Sequence, residues 1–245
     1  MNIHLLLTRL DKLNKITRST RLLKAVLLHR VLAGAEHRHV LAGDLATVVD
    51  IGANRGQFAL AARRWAPRAQ IVSFEPLPKP AEIFRTLFSG DEMVKLHEAA
   101  VGTHSEFRAM HVSAKDDSSS LLPITSLQSK IFPGTDEVST IKVRVAPLET
   151  FVELQSIKAP ALLKLDVQGY EYEALCGCES VLQRFDSVYC ECSFVELYAG
   201  QKLAGNIIEW LSARGFRLKG VFNPTYDTAA QAIQADFLFN RPEAA

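Results

Sequence analysis

The sequence predicts a mixed α/β fold: a seven-stranded, mostly parallel sheet with helices on both faces and a C-terminal antiparallel hairpin. Three observations lead there. From Thr47 onward, short β-rich runs alternate with helical segments. Two later runs, Ala161–Asp166 and Ser187–Cys192, have the character of buried parallel strands. The last two, Phe216–Phe222 and Ala235–Phe239, are separated by a turn-rich segment containing Asn223 and Pro224, which suggests a hairpin.

At 245 residues and 48% hydrophobic content, the chain is long enough to fill one sizeable core. The 28 basic and 27 acidic side chains leave a net charge of +1, so no global field draws the protein to nucleic acid or lipid. Residues 1–46 depart from this balance. Arg9, Lys12, Lys15, Arg18, Arg21, Lys24, Arg30 and Arg38 face only Asp11 and Glu36 before Val40. Leu6, Leu10, Leu13, Ile16, Leu22, Val26 and Leu27 recur at helical spacing, so this is a basic amphipathic arm ahead of a domain over 47–245. It reads as a helical extension covering that domain, or as a surface for anionic membrane. Lys and Arg interrupt every apolar run, unlike a secretory leader or a membrane span, so a cytoplasmic protein is expected.

The elements follow in order. The first strand is Thr47–Ile51, and its helix, Phe58–Trp65, is stopped by Pro67. The second strand, Gln70–Phe74, leads through Pro76, Pro78 and Pro80 to a helix near Ala81–Phe88. A third strand covers Lys95–Val101. A polar stretch with Lys115, Asp116, Asp117 and Ser118, Ser119 and Ser120 runs to about Thr140, long enough to read as a lid or binding loop. Strand-like Ile141–Val145 precedes the two buried strands. The helix Asn206–Arg214 is capped by Gly215 before the hairpin. Cys176, Cys178, Cys190 and Cys192 form two Cys-x-Cys pairs that should stay reduced; Cys190 and Cys192 read as ordinary buried strand positions, not zinc ligands.

The chemistry should lie at the carboxyl edge of the strands, where open α/β sheets bind ligands. Asp50-Ile51-Gly52-Ala53-Asn54-Arg55-Gly56-Gln57-Phe58 is a strand running into a glycine-bearing turn and then a helix. Gly52 and Gly56 allow backbone to approach a ligand, and the helix start at Gln57 offers free N–H groups to a carboxylate or other polar group. Glu75, 25 residues after Asp50, ends the second strand where an acidic side chain accepts hydrogen bonds from both hydroxyls of a ribose. This fits NAD or S-adenosylmethionine and disfavours a 2′-phosphate. Asp166 closes a later strand and is the leading active-site candidate, with His97, His104 and His111 as other proton acceptors. Asp166 and Glu191 offer two hard oxygens that suit Mg²⁺, although no metal is expected. Ser118, Ser119 and Ser120 suit hydrogen bonds to a hydroxylated acceptor.

Four ordered motifs make the reading specific. Asp50-Ile51-Gly52-Ala53-Asn54-Arg55-Gly56, Phe74-Glu75-Pro76, Ala99-Ala100-Val101-Gly102 and Lys164-Leu165-Asp166-Val167-Gln168-Gly169 together resemble FkbM-type methyltransferases, from about Thr47 to Phe239. The resemblance implies a Rossmann-like class I methyltransferase fold and S-adenosyl-L-methionine as cofactor. It implies that Gly52, Asn54, Gly56 and Glu75 contact the cofactor and that Ala100 and Val101 lie near its adenine. Asp50, Gln57, Phe58, Pro76 and Asp166 join that set, and Glu171 and Glu191 join Ser119 and Ser120 on the acceptor side. Many members O-methylate sugars, macrolides or related natural products, so a sugar, glycan or glycolipid hydroxyl is the expected acceptor. Where that family usually has Glu, this chain has Gln168, which puts a charge there in doubt; Glu171 keeps its usual place. A non-catalytic module that binds the cofactor and an NAD-dependent oxidoreductase are the competing readings. Nucleic acid is not an expected partner, because basic residues do not cluster near the predicted cleft and no Asn-Pro-Pro-Tyr-type motif is present.

Overall fold

The computed structural model describes Ala25 and residues 31–242. The arm's basic residues from Arg9 to Arg30, with the helix and membrane surface read from them, lie outside the described residues. Among the described residues, no helix is long and apolar enough to cross a membrane.

After a single turn of 3-10 helix at Ala35–His37, the elements are α1 (Arg38–Leu41), β1 (Thr47–Ile51), α2 (Gln57–Trp65), β2 (Gln70–Phe74), α3 (Pro78–Leu87), β3 (Val94–His97), β4 (Ala100–Val101), β5 (Glu106–Ser113), α4 (Ser126–Ile131), β6 (Glu137–Ala146), β7 (Ala161–Leu165), α5 (Glu171–Cys176), β8 (Ser187–Ser193), α6 (Ala204–Ser212), β9 (Arg217–Tyr226) and β10 (Ala232–Asn240). Seven strands form one sheet in the order β3-β2-β1-β7-β8-β10-β9, parallel up to β8 and antiparallel in β10 and β9. Helices cover both faces, as the alternation of strand and helix requires.

Successive side chains of a strand point to opposite faces, and each face has its own core. Val48, Ile71, Leu162, Tyr189 and Leu238 pack beneath α2 and α3 with Phe58, Phe84 and Leu87. Ile51, Phe74, Leu163, Leu165, Cys190 and Phe237 pack on the other face with Leu175, Ile207 and Trp210. Val31 and Leu41, ahead of β1, belong to the first core, so the described part of the arm packs on the domain. All four cysteines are free thiols, and Cys190 and Cys192 are buried in β8.

Four expectations are corrected. The run Lys95–Val101 is two strands: β3 extends the large sheet beside β2, whereas β4 leaves it to pair with β6. The polar stretch is partly ordered, because β5 pairs antiparallel with β6 along Glu106–Ser113, where apolar and polar residues mix without a clean period. Ile141–Val145 is the second half of a longer strand, β6, in this three-stranded sheet. Asn223 and Pro224 lie within β9 instead of turning the chain; β9 is an edge strand, where a missing N–H is tolerated, and the register shifts beside β10 absorb Asn223 at φ 49°.

Candidate active site

The carboxyl ends of β1, β2 and β7, with β4 and Gln234 of β10, border a cavity of about 460 Å³. Gly52, Asn54, Gln57, Phe58, Glu75, Pro76, Ala100, Val101, Asp166 and Ser119 line it, so most of the sequence-predicted set converges on one space. A second cavity, of about 930 Å³, adjoins it and shares Glu36, Asn54, Gln57, Leu77 and Asp116.

Glu75 is the best-fixed polar group in the site. Its Oε2 accepts from the Asn54 amide and its Oε1 from the Leu77 amide, each at 2.8 Å. Asn54 takes a left-handed φ of 44°, and its Oδ1 accepts from the Arg55 amide at 2.8 Å, which holds the turn closed. Burial pushes the Glu75 carboxyl up to about 7, against the pull of the two amides.

The two motif glycines are explained by the chain's own packing. A Cβ on Gly52 would fall on the backbone carbonyl of Asp166, and one on Gly56 would lie 2.8 Å from the Phe88 ring. Gly56, at φ 95°, is the N-terminal cap of α2 and lies outside the cavity lining. Gly56 therefore brings α2 against α3 and shapes the cavity indirectly, while Gly52 both brings β1 close to the end of β7 and lines the cavity itself.

A row of polar side chains crosses the sheet below α2. Asp50, Lys164 and Tyr189 are cross-strand neighbours in β1, β7 and β8. The buried Lys164 ammonium lies 3.1 Å from Asp50 Oδ1 and 3.7 Å from Asp166 Oδ2, and donates to the Gly52 carbonyl at 2.8 Å. Burial opposes its charge, yet Asp50 and Asp166 outweigh that and hold it protonated. Asp50 is fully buried beneath the cavity floor, where it anchors Lys164.

Asp166 is the more exposed acid, with 41% of its side chain open. Gln168 donates to it and to Glu191, and Gln234 donates to Glu191 Oε1 at 2.7 Å. Burial, with Asp166 and Glu171 nearby, holds the Glu191 carboxyl well above its ordinary range. The Mg²⁺ pair read from the sequence thus meets amide donors and an ammonium, a set that does not fit a cation. Among the described residues, no group of three His, Cys, Asp or Glu is arranged to hold a metal.

Of the other candidates, Ser119 lines the cavity, whereas Glu171, Glu191, Ser120, His97, His104 and His111 lie outside the lining. Glu171 Oε1 accepts from the Val167 and Gly169 amides at 2.9 and 3.2 Å and so pins the loop after β7; burial raises it to about 7. Ser120 Oγ accepts from the Leu122 amide, and Ser119 Oγ from the Ser113 amide, both at 3.0 Å. His97 is stacked on Phe74, its centroid 5.0 Å away, and burial lowers it to about 4. His104 bonds Thr103, and His111 pairs with Glu137 at 2.9 Å. Glu36, His37, Met110, Gln128, Tyr170 and Gln234 line the cavity without having been anticipated. Only the order of the fold brings them there; no local motif marks them.

Residues 50–218 match the family described as the methyltransferase FkbM domain. The chain is 27% identical over 162 residues to "2-O-methyltransferase NoeI" of Sinorhizobium fredii, an alignment covering 63% of this chain and 66% of that protein. It is 26% identical over 148 residues to "Methyltransferase 1" of Beauveria bassiana, covering 56% of this chain and 59% of that one. The matches therefore span somewhat less than two thirds of these relatives. A crystal structure of methyltransferase FkbM from Methylobacillus flagellatus KT superposes with TM-score 0.54 at 13% identity, covering 85% of this chain and 49% of the other, which supports the fold. A cavity lined in motif order, on a sheet of this topology, and a family match over most of the chain lead to one conclusion: the chain belongs to the FkbM methyltransferase domain family.

Proposed function

We propose that the protein is an S-adenosylmethionine-dependent O-methyltransferase acting on a hydroxyl of a sugar, glycolipid or related natural product. The observation that carries this is Glu75. Two backbone amides fix its carboxylate at the cavity wall, and each oxygen keeps a second lone pair able to accept from a ribose hydroxyl. The first turn of α2 leaves its leading N–H groups without intrahelical acceptors, where the carboxylate of an amino-acid moiety is stabilised. Ala100, Val101 and Met110 give an apolar wall suited to an adenine.

The cofactor, when bound, supplies a methyl group already activated on a sulfonium. The chain's task is then to hold an acceptor oxygen in line, and orientation of this kind contributes up to about 7–11 kcal/mol of barrier reduction. Asp166, open to the cavity and oriented by Gln168, accepts a hydrogen bond from a second, non-reacting hydroxyl of the acceptor and so helps to position it. The adjoining cavity is the acceptor's approach; it mixes apolar Leu32, Trp65 and Ile141 with Arg64, Lys79 and Lys115. The name of the 2-O-methyltransferase relative supports oxygen as the acceptor atom. Calorimetry with S-adenosylmethionine, S-adenosylhomocysteine and NAD, with Glu75→Ala as control, tests the reading. Tight binding of the sulfonium pair that depends on Glu75 is expected; binding of NAD alone, or of none, overturns it.

A further inference from the structure

The residues just before β1 carry a group that the motifs do not account for. His37 lines the same cavity as Asn54, Gln57 and Asp166, with its ring centroid 5.2 Å from Phe58 and 5.5 Å from Tyr189. Below it, Tyr189 on β8 and Asp236 on β10 share a sheet face, because Asp236 pairs with Glu191, two residues beyond Tyr189. The Tyr189 hydroxyl donates to Asp236 Oδ2 at 2.8 Å, and Asn223 Nδ2 donates to the same oxygen at 2.7 Å.

This network fixes the tautomer of His37. A phenol has one proton, and here it is directed at Asp236. The phenol oxygen, 3.1 Å from His37 Nδ1, therefore accepts the imidazole N–H. The ring proton sits on Nδ1, and Nε2 keeps a lone pair. Nε2 makes no hydrogen bond among the described residues; Glu36 Oε1 lies 3.7 Å away. The charged groups facing the ring are Glu36 from its own turn, Asp236 from β10, and Lys164 and Asp166 at β7. Burial keeps the ring neutral against the pull of Asp236 and Glu36. Asp166 is differently placed, since a Gln168 N–H engages one oxygen and the Lys164 ammonium lies by the other.

We propose that His37 is the general base of the methyl transfer, held in its Nδ1–H tautomer by Tyr189 and Asp236. This rests on the methyl-transfer reading above. In the step, the acceptor hydroxyl proton passes to His37 Nε2 as an oxygen lone pair bonds the methyl carbon and the S–CH₃ electron pair returns to sulfur. The imidazolium then releases its proton to solvent.

Two measurements on the full chain test it. Long-range ¹H–¹⁵N correlation spectra, recorded on free and S-adenosylhomocysteine-saturated protein at pH 7.5, should show His37 neutral and protonated on Nδ1. Tyr189→Phe should lose that preference. A His37 that is protonated on Nε2, or an imidazolium, overturns the proposal. Transfer from S-adenosylmethionine to a panel of methyl glycosides should fall about 100-fold in kcat in His37→Gln, with cofactor KM within about twofold and the alkaline-rising limb of the pH profile lost. A variant keeping more than about a third of wild-type kcat also overturns it. If wild type transfers to none of the glycosides, the acceptor reading fails by itself, and the tautomer still decides the role of His37.

Discussion

Gln168 donates from Nε2 to Asp166 Oδ1 at 2.8 Å, and the same nitrogen lies 3.1 Å from Glu191 Oε2. Its carbonyl accepts from the Tyr198 hydroxyl at 2.8 Å. One amide thus places a donor between two acids, and it is where this chain departs from the Glu usual in the family it resembles. Gln168→Glu substitutes an acceptor for that donor. Stability should drop by about 1–3 kcal/mol at pH 8 in urea unfolding. The introduced carboxyl will have a raised pKa in the folded protein, so the deficit should shrink as pH falls toward 5. A deficit that does not change with pH would mean that charge is not its cause.

The same donor set bears on metal dependence. A divalent cation at Asp166 would face the Gln168 N–H and the Lys164 ammonium, which lies 3.7 Å from Oδ2. Cofactor binding and turnover should therefore be unchanged by EDTA or added MgCl₂. A loss on chelation that Mg²⁺ restores would return a metal to the mechanism.

Glu75 predicts opposite pH trends for stability and for binding. Its carboxyl is raised by burial from 4.5 to about 7, so the folded state favours the protonated form. Its contribution to the stability of the free protein is full below about pH 4.5 and is lost as pH rises through 7, a trend that Glu171 shares. Ribose hydroxyls favour the ionised form, so affinity for S-adenosylhomocysteine should increase between pH 6 and 8. Calorimetry on Glu75→Gln should show that slope removed. An unchanged slope would assign the linkage to another group.

The sequence and the structure agree where the physics is local. The turn after β1, the acid ending β2 and the acid following β7 each follow from a strand meeting a loop, and all three reach the cavity. Misplacements came where partners are distant. Nothing near Lys95–Val101 marks the point at which β4 leaves for β6, and the polar–apolar mixture of Glu106–Ser113 suits a strand only because β6 lies beside it. Glu171 and Ser120 looked like acceptor ligands because they are polar and near the right edge; their bonds to loop amides are set by the tertiary fold. His37 was hidden because its meaning depends on Tyr189 and Asp236, 152 and about 200 residues away.

Arg55 links the motif turn to the loop above it, donating from its terminal nitrogen to Asp116 Oδ2 at 2.6 Å. Both side chains are partly exposed, so the pair should add only about 0.5–1 kcal/mol to global stability. Its effect should be kinetic, since Asp116, Asp117 and Ser118 border the cavity. In Arg55→Ala, release of S-adenosylhomocysteine should be about fivefold faster, a change of roughly 1 kcal/mol. Stopped-flow fluorescence measures this directly. Equal release rates would show that the Arg55–Asp116 link does not restrain the loop.

The largest stability effect should come from Lys164. Its ammonium is buried beside a fully buried Asp50, at 3.1 Å, and donates to the Gly52 carbonyl at the start of the motif turn. Lys164→Met leaves Asp50 in the interior without its cation, a change that costs about 3–5 kcal/mol when one partner of a buried pair is removed. Burial already pushes the Asp50 carboxyl up, and without the ammonium it will be neutral over more of the pH range. Urea unfolding of Lys164→Met should therefore show a deficit that is larger at pH 8 than at pH 5. Adding Asp50→Asn removes the buried charge, so the double variant should regain at least about 1 kcal/mol over Lys164→Met, because the penalty is that of an uncompensated ion and not of a lost contact. If the two substitutions simply add, the pair is not coupled, and Lys164 holds the turn through Gly52 alone.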